Sequence, residues 1–205
     1  MPLILTEQSN NKDLFLWEMS ENIDDYQRII PESLFSDIIN NTKLEKRKLE
    51  KLSQVMLLQK AKIAYENVLY AANGKPYLTN GKHLSFSHSA SISSLLIDKY
   101  PCGLDIEYPS EKIHRIASKF IHPKEQELIG RGDNIYWAWS IKEAIFKYFG
   151  EKVVFKDHIF INEIRPDQKI AFANYKGKHG SGLFELKLMQ IKKYYLAYTK
   201  TYRPS

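Results

Sequence analysis

The chain runs through one order of elements twice. Leu14-Phe15-Leu16-Trp17 reads as a strand, and residues 23–40 read as one or two short helices broken near Pro31. Residues 44–72 carry the longest helical pattern, with Leu52, Val55, Met56, Gln59 and Ile63 along its inner side. Asn73-Gly74 and Pro76 stop it. Residues 84–88 and 92–97 read as strands around a tight turn at Ser89-Ala90-Ser91. After Tyr100-Pro101 the order starts again: a strand at 102–107, helical segments near 111–119, 123–130 and 134–149, then strands near 153–156, 159–163, 168–175, 182–191 and 194–201. Strand, helices, strands in each half predicts an α+β chain of two subdomains, residues 1–100 and 101–205, with a cleft between them. Pockets favour such junctions.

Two motifs in the second half carry chemistry. In Gly103-Leu104-Asp105-Ile106-Glu107, the strand period sends Leu104 and Ile106 one way and Asp105 and Glu107 the other. Side chains two apart on one strand face stand about 7 Å from each other. At an effective dielectric near 20 two anions there repel by roughly 2 kcal/mol, and a cation between them converts that repulsion into a binding site. The helix Trp139-Ser140-Ile141-Lys142-Glu143-Ala144-Ile145-Phe146-Lys147 places Glu143 and Lys147 on one face with Trp139. Each half alone has a bland reading, a solvated strand rim or a surface i,i+4 pair. Together they offer three acidic ligands and a lysine, which suits a magnesium ion holding a pyrophosphate.

Composition narrows the class. An apolar share of 43% over 205 residues suffices for a substantial core. No run of 18 apolar residues indicates a membrane span, and the opening residues turn polar too early for a signal peptide. One cysteine, Cys102, excludes an internal disulfide framework and a Cys-rich zinc site. A cytoplasmic protein is expected. The net charge of +6 comes from the second half: residues 1–100 hold 12 basic and 12 acidic side chains, leaving 18 and 12 of the totals of 30 and 24 for residues 101–205. Such a half favours an acidic partner: nucleic acid, a phosphorylated cofactor or an acidic protein.

A third element lies at the end of the first half. Asn73-Gly74-Lys75-Pro76-Tyr77 precedes Ser85-Phe86-Ser87-His88-Ser89, and Lys75 and His88 can both project toward one phosphate. The order Gly-Lys-Pro, Ser-His-Ser, Gly-Leu-Asp-Ile-Glu, Trp-Ser-x-Lys-Glu-Ala-x-x-Lys resembles the 4′-phosphopantetheinyl transferases, specifically their two-subdomain Sfp type. The resemblance covers residues 43–150. It implies a pseudo-symmetric pair of α+β subdomains with coenzyme A and magnesium at the junction. The implied reaction moves the phosphopantetheine arm of coenzyme A onto a serine of an apo carrier protein and releases adenosine 3′,5′-bisphosphate. By position, Asp105, Glu107 and Glu143 match the family's magnesium ligands, and Lys147 matches the lysine on the coenzyme A phosphates. Lys75, Ser87 and His88 match coenzyme A contacts, with His88 near the 3′-phosphate.

The chain departs from the pattern in two places. The connection from Asp105 to Trp139 is short for the family, which implies trimmed loops beside the carrier-protein groove. On the long helix Lys46, Arg47, Lys48 and Lys51 supply the family's basic cluster, but Val55 stands where an arginine is expected. Lys46 and Arg47 are the candidate cofactor contacts there; Lys48 and Lys51 read equally well as a solvated face. For the base that deprotonates the carrier serine, Glu143 leads, directly or through a metal-bound water, and Glu125 is the alternative. The competing class is a non-catalytic coenzyme A or carrier-protein binding module, against which the full set of ligands and Lys147 argues. Scattered lysines without a recognised module argue against nucleic-acid binding, and Ser87-His88-Ser89 lacks a nucleophile elbow. Residues 177–182 read as a hairpin turn rather than a phosphate loop. Two subdomains can complete the site within one chain, so a monomer is expected.

Overall fold

A computed structural model describes residues 3–9, 11–151 and 153–205. The first half forms a sheet from β1 (Leu3–Gln8), β2 (Lys12–Glu18), β3 (Val68–Tyr70), β4 (Pro76–Leu78), β5 (His83–Ser89) and β6 (Ile92–Asp98). Its order is β1-β2-β6-β5-β4-β3. Helices α1 (Ile23–Gln27), α2 (Glu32–Asn40) and α3 (Glu45–Lys60) lie between β2 and β3 in sequence and cover one face. The second half forms a sheet from β7 (Leu104–Glu107), β8 (Ile159–Arg165), β9 (Ile170–Gly177), β10 (Gly180–Ile191) and β11 (Tyr194–Pro204), ordered β7-β11-β10-β9-β8. Helices α4 (Glu111–Arg115), α5 (Ala117–Phe120), α6 (Gln126–Ile129), α7 (Asn134–Phe149) and α8 (Phe155–His158) separate β7 from β8 in sequence. The strand pairings among the described residues are antiparallel. The protein is therefore α+β, as the order of elements predicted, and its two sheets are antiparallel.

Three apolar cores follow from strand periodicity. Phe15 and Trp17 of β2 face the helices with Leu52, Val55 and Met56. Leu14 and Leu16 of the same strand face the second sheet, where they meet Cys102, Leu104, Ile106 and Leu196. A strand buried on both faces reads as a continuous apolar run, which is why residues 14–17 show no alternation. Cys102 lies in this middle core, and burial pushes its thiol up to about 12, so it is unreactive. The third core packs α7, through Trp137, Ile141 and Ile145, on Ile161, Phe184 and Ala197 of the second sheet. Gly103 lets α7 and β7 touch. A Cβ there would overlap the Ala144 carbonyl oxygen and stand 2.7 Å from Tyr148 N.

Local expectations fail in three places. The helix expected to reach residue 72 ends at Lys60, which leaves Gln59 exposed in its last turn. Lys62 takes a left-handed conformation (φ 57°), and Ile63 N–H reaches back 2.9 Å to Leu58 O. This is a Schellman-type stop built on lysine, without the glycine that usually announces one. The residues beyond form a 3₁₀ turn and the short hairpin β3–β4, and β1 was likewise not anticipated. Residues 153–156 suggested a strand, but one helical turn, α8, begins at Phe155, and the amide of its N-cap residue Val154 donates to His158 Nδ1 at 3.1 Å.

Candidate active site

The two sheets meet at β5 and β7. β7 is an edge strand, paired to β11 on one side only. Its outward amides are taken by hydroxyls from β5: Ser85 Oγ accepts from Leu104 N (3.0 Å), Ser87 Oγ from Ile106 N (3.2 Å) and Ser89 Oγ from Tyr108 N (2.9 Å). Serine at alternate positions puts all three on one strand face, while Leu84 and His88 face the α3 side. Buried amides that would otherwise lose their partners are thus satisfied by side chains. Two of these hydroxyls pass the bond on: Ser87 Oγ donates to Asp105 Oδ1 and Ser89 Oγ to Glu107 Oε2, both at 2.8 Å.

Strand β7 and helix α7 bring the predicted acids together. Lys147 Nζ donates to Asp105 Oδ1 (2.7 Å) and Ser87 Oγ (2.9 Å), and Trp139 Nε1 donates to Glu107 Oε1 (2.9 Å). Burial, then the Asp105 charge, raises Glu107 above the usual carboxylate range, against the hydrogen bonds from Ser89 and Trp139. Glu143 goes further, to about 7: burial is the largest cause, Asp105 and Glu107 add to it, and Lys147 opposes it. Asp105 Oδ2 is buried and has no hydrogen-bond partner.

These acids fit a hard divalent cation. The Asp105 charge raises the proton affinity of both Glu107 and Glu143, Glu107 adds to that of Glu143, and the orphaned Asp105 oxygen lacks the partner that buried polar atoms normally have. Among the described residues no three His, Cys, Asp or Glu side chains already stand in metal-holding geometry. Asp105 is engaged by the Lys147 ammonium instead.

The basic cluster on α3 also converges here. Arg47 Nη1 lies 2.9 Å from Glu50 Oε2 and 3.4 Å from His88 Nε2, and His88 Nε2 is 3.3 Å from the same Glu50 oxygen. Burial lowers the His88 pKa, Glu50 raises it, and Arg47, Lys147 and Lys46 lower it further. Lys46 is exposed. A cleft of about 260 Å³ is lined by residues of both halves, among them Gln54, Tyr70, Lys75, Phe86, Phe146 and Lys147. Lys75 lines it with its stem, packed where a Cβ on Gly150 would sit, but its ammonium donates to Tyr148 O at the end of α7. Burial lowers its pKa. Its charge meets the last exposed carbonyls of α7, the negative end of that helix.

Glu125, the alternative base, is committed elsewhere. Its side chain is 3% exposed; Oε2 accepts from Lys142 Nζ and His122 N, both at 2.7 Å, and Oε1 from Ile161 N at 2.6 Å. Lys142 is fully buried and also donates to Ile159 O and Phe155 O. Of the acids weighed for proton removal, Glu143 therefore stands at the junction and Glu125 does not. Sequence reasoning missed Glu50, the Ser85-Ser87-Ser89 stripe and the bond from Trp139 to Glu107. The stripe had a signal: polar residues alternating within a strand whose other face is apolar.

Residues 101–199 match the family model described as the 4′-phosphopantetheinyl transferase superfamily. The chain is 28% identical over 135 residues to 4′-phosphopantetheinyl transferase gsp of Aneurinibacillus migulanus, covering 62% of this chain and 57% of that protein. It is 31% identical over 86 residues to the 4′-phosphopantetheinyl transferase of Bacillus subtilis, covering 38% of each. The match thus spans just over half the length of the Aneurinibacillus relative. Over residues 101–199 the chain is thus similar to the 4′-phosphopantetheinyl transferase superfamily.

Proposed function

We propose that this protein transfers the 4′-phosphopantetheine group of coenzyme A to a serine of an apo acyl or peptidyl carrier protein, with magnesium, releasing adenosine 3′,5′-bisphosphate. The observation that carries the reading is the buried Asp105 at the junction, its one oxygen orphaned, grouped with Glu107, Glu143 and Lys147. In this reading residues 1–100 form the subdomain that grips coenzyme A and residues 101–205 the one that holds the metal and the catalytic groups.

Asp105, Glu107 and Glu143 would hold the ion. When bound, magnesium neutralises the pyrophosphate and polarises the attacked phosphorus. Ser87 and Ser89 fix the first two carboxylates by donating to them. Lys147 lies close enough to exchange Asp105 for a phosphate oxygen, and its ammonium then stabilises charge on the departing phosphate. Arg47 and Lys46 would offer cationic donors and His88 a ring N–H to the 3′-phosphate, and Lys75 shapes the wall of the cleft. The ionised Glu143 carboxylate takes the proton of the carrier serine hydroxyl as its oxygen bonds to phosphorus and the bond to the bisphosphate breaks. Partners are coenzyme A and the carrier protein, with one chain forming the site. No helix among the described residues is long and apolar enough to cross a membrane, and a cytoplasmic location is part of the proposal.

Intact-mass spectrometry of apo carriers from fatty-acid, polyketide and nonribosomal-peptide systems, incubated with coenzyme A and magnesium, tests this. A gain of one phosphopantetheine mass on at least one carrier is expected. No gain on any, beside a working control enzyme, would favour a non-catalytic binding module.

A further inference from the structure

Glu50 is an acidic residue where the proposed function calls for positive charge. It sits on α3 one turn from Arg47, its side chain 5% exposed, and a single oxygen, Oε2, meets both Arg47 and His88. The guanidinium above it is 62% exposed. Arg47 Nη1 and His88 Nε2 approach to 3.4 Å, although they come from different elements. Among the charged groups acting on His88, Arg47, Lys147 and Lys46 disfavour its cationic form, and Glu50 alone favours it.

We infer that Glu50 is a positioning residue for recognition of a terminal phosphate monoester: it anchors Arg47 and His88 side by side so that their outer N–H groups present one preformed anion seat. The inference rests on the proposed function, in which that phosphate is the 3′-phosphate of coenzyme A. Two features support it beyond proximity. The Glu50 carboxylate is buried while the Arg47 side chain it bonds is 62% exposed, so the negative charge is covered by the groups it holds. The planar guanidinium gives one edge to Glu50 and keeps its other N–H groups for a phosphate, a two-sided use that lysine cannot copy. The bond to Glu50 thereby restricts Arg47 before ligand arrives, so less side-chain freedom is lost on binding.

The test compares coenzyme A with 3′-dephospho-coenzyme A, by calorimetry and, with a carrier that accepts the group, by KM and kcat. For the parent protein coenzyme A should bind at least tenfold more tightly. Glu50→Gln should remove most of that preference by weakening coenzyme A while leaving dephospho-coenzyme A and kcat unchanged. Glu50→Asp, which keeps the charge but is one methylene shorter, should retain part of the preference and serves if the glutamine variant folds poorly. In an Arg47→Ala background, Glu50→Gln should add little, because Glu50 acts through Arg47. Equal weakening of both ligands would reduce Glu50 to support of the fold and overturn the inference. Unchanged preference, or tighter binding of coenzyme A, would overturn it as well. A parent protein that binds neither ligand, or both equally, would overturn the proposed function and this inference together.

Discussion

Lys142→Met separates a structural role from a chemical one inside the most diagnostic motif of the chain. Methionine keeps the unbranched stem and a high helix propensity, so the change removes one ammonium and little else. That ammonium is fully buried and bonds Glu125 Oε2 at 2.7 Å, Ile159 O at 2.8 Å and Phe155 O at 3.3 Å. Its loss strands a carboxylate that is 3% exposed, with only the His122 and Ile161 amides as partners. Breaking a buried pair on one side costs about 3–5 kcal/mol. For a domain of this size that corresponds to a fall in Tm of roughly 6–20 °C. Thermal unfolding followed by circular dichroism, at fixed protein concentration without ligand, reads the loss. Turnover at 15 °C, where the variant is still folded, should stay within about threefold of the parent. In Lys142→Met combined with Glu125→Leu, the stranded charge is gone and what is lost is the side-chain partners of the His122 and Ile161 amides and the Phe155 and Ile159 carbonyls, so part of the stability should return. Unchanged Tm with turnover reduced a hundredfold or more would refute the structural assignment and return Glu125 to the candidates for proton removal.

Gly103→Ala forces a methyl into the Ala144 carbonyl and should cost about 1–3 kcal/mol or more while displacing α7, so kcat falls with stability; denaturant unfolding together with kinetics checks both. Ser87→Ala orphans the Ile106 amide and removes a donor from Asp105, costing about 1–3 kcal/mol and weakening magnesium dependence, read as the metal concentration for half-maximal turnover. Glu143 binds its proton more tightly when folded (about 7) than at its ordinary value of 4.5. It therefore stabilises the fold fully below pH 4.5, and that contribution is lost as pH rises through 7. With chelator present it should cost up to about 3 kcal/mol between pH 5 and pH 8. Magnesium should flatten this slope, and so should Glu143→Gln, which should also lower turnover by orders of magnitude without lowering Tm at pH 8; a slope unaltered by either would refute the assignment. Lys147→Ala should reduce turnover strongly while metal-induced stabilisation, measured by thermal shift, persists.

Residues whose role depends on local periodicity were legible in the sequence. The bounds of α7, the alternation in β7 and the hairpin at residues 177–182 all follow from spacing and turn chemistry. What escaped depends on groups distant in the chain. Glu50 looks like one member of a charged helix face until β5 brings His88 to it. Lys75 reads as a free cation, yet its ammonium is claimed by a carbonyl on α7. The end of α3 was misplaced because its left-handed stop falls on Lys62, where no composition signal exists. Lys142 and Glu125 each look exposed, since a buried ion pair shows itself only when both partners are placed.

The serines of β5 also have a bearing on solubility. An unpaired strand edge is a template for adding another chain, and proteins usually guard it with charges, prolines or bulges. β7 has Leu104 and Ile106 along an edge of this kind, and its guard is the other half of the same molecule. A fragment beginning at residue 101 would display that row of amides beside a bare apolar face, so it should self-associate through β7 and aggregate. Adding residues 1–100 in trans should suppress that aggregation, with Ser85 and Ser87 as the side chains on which the rescue depends.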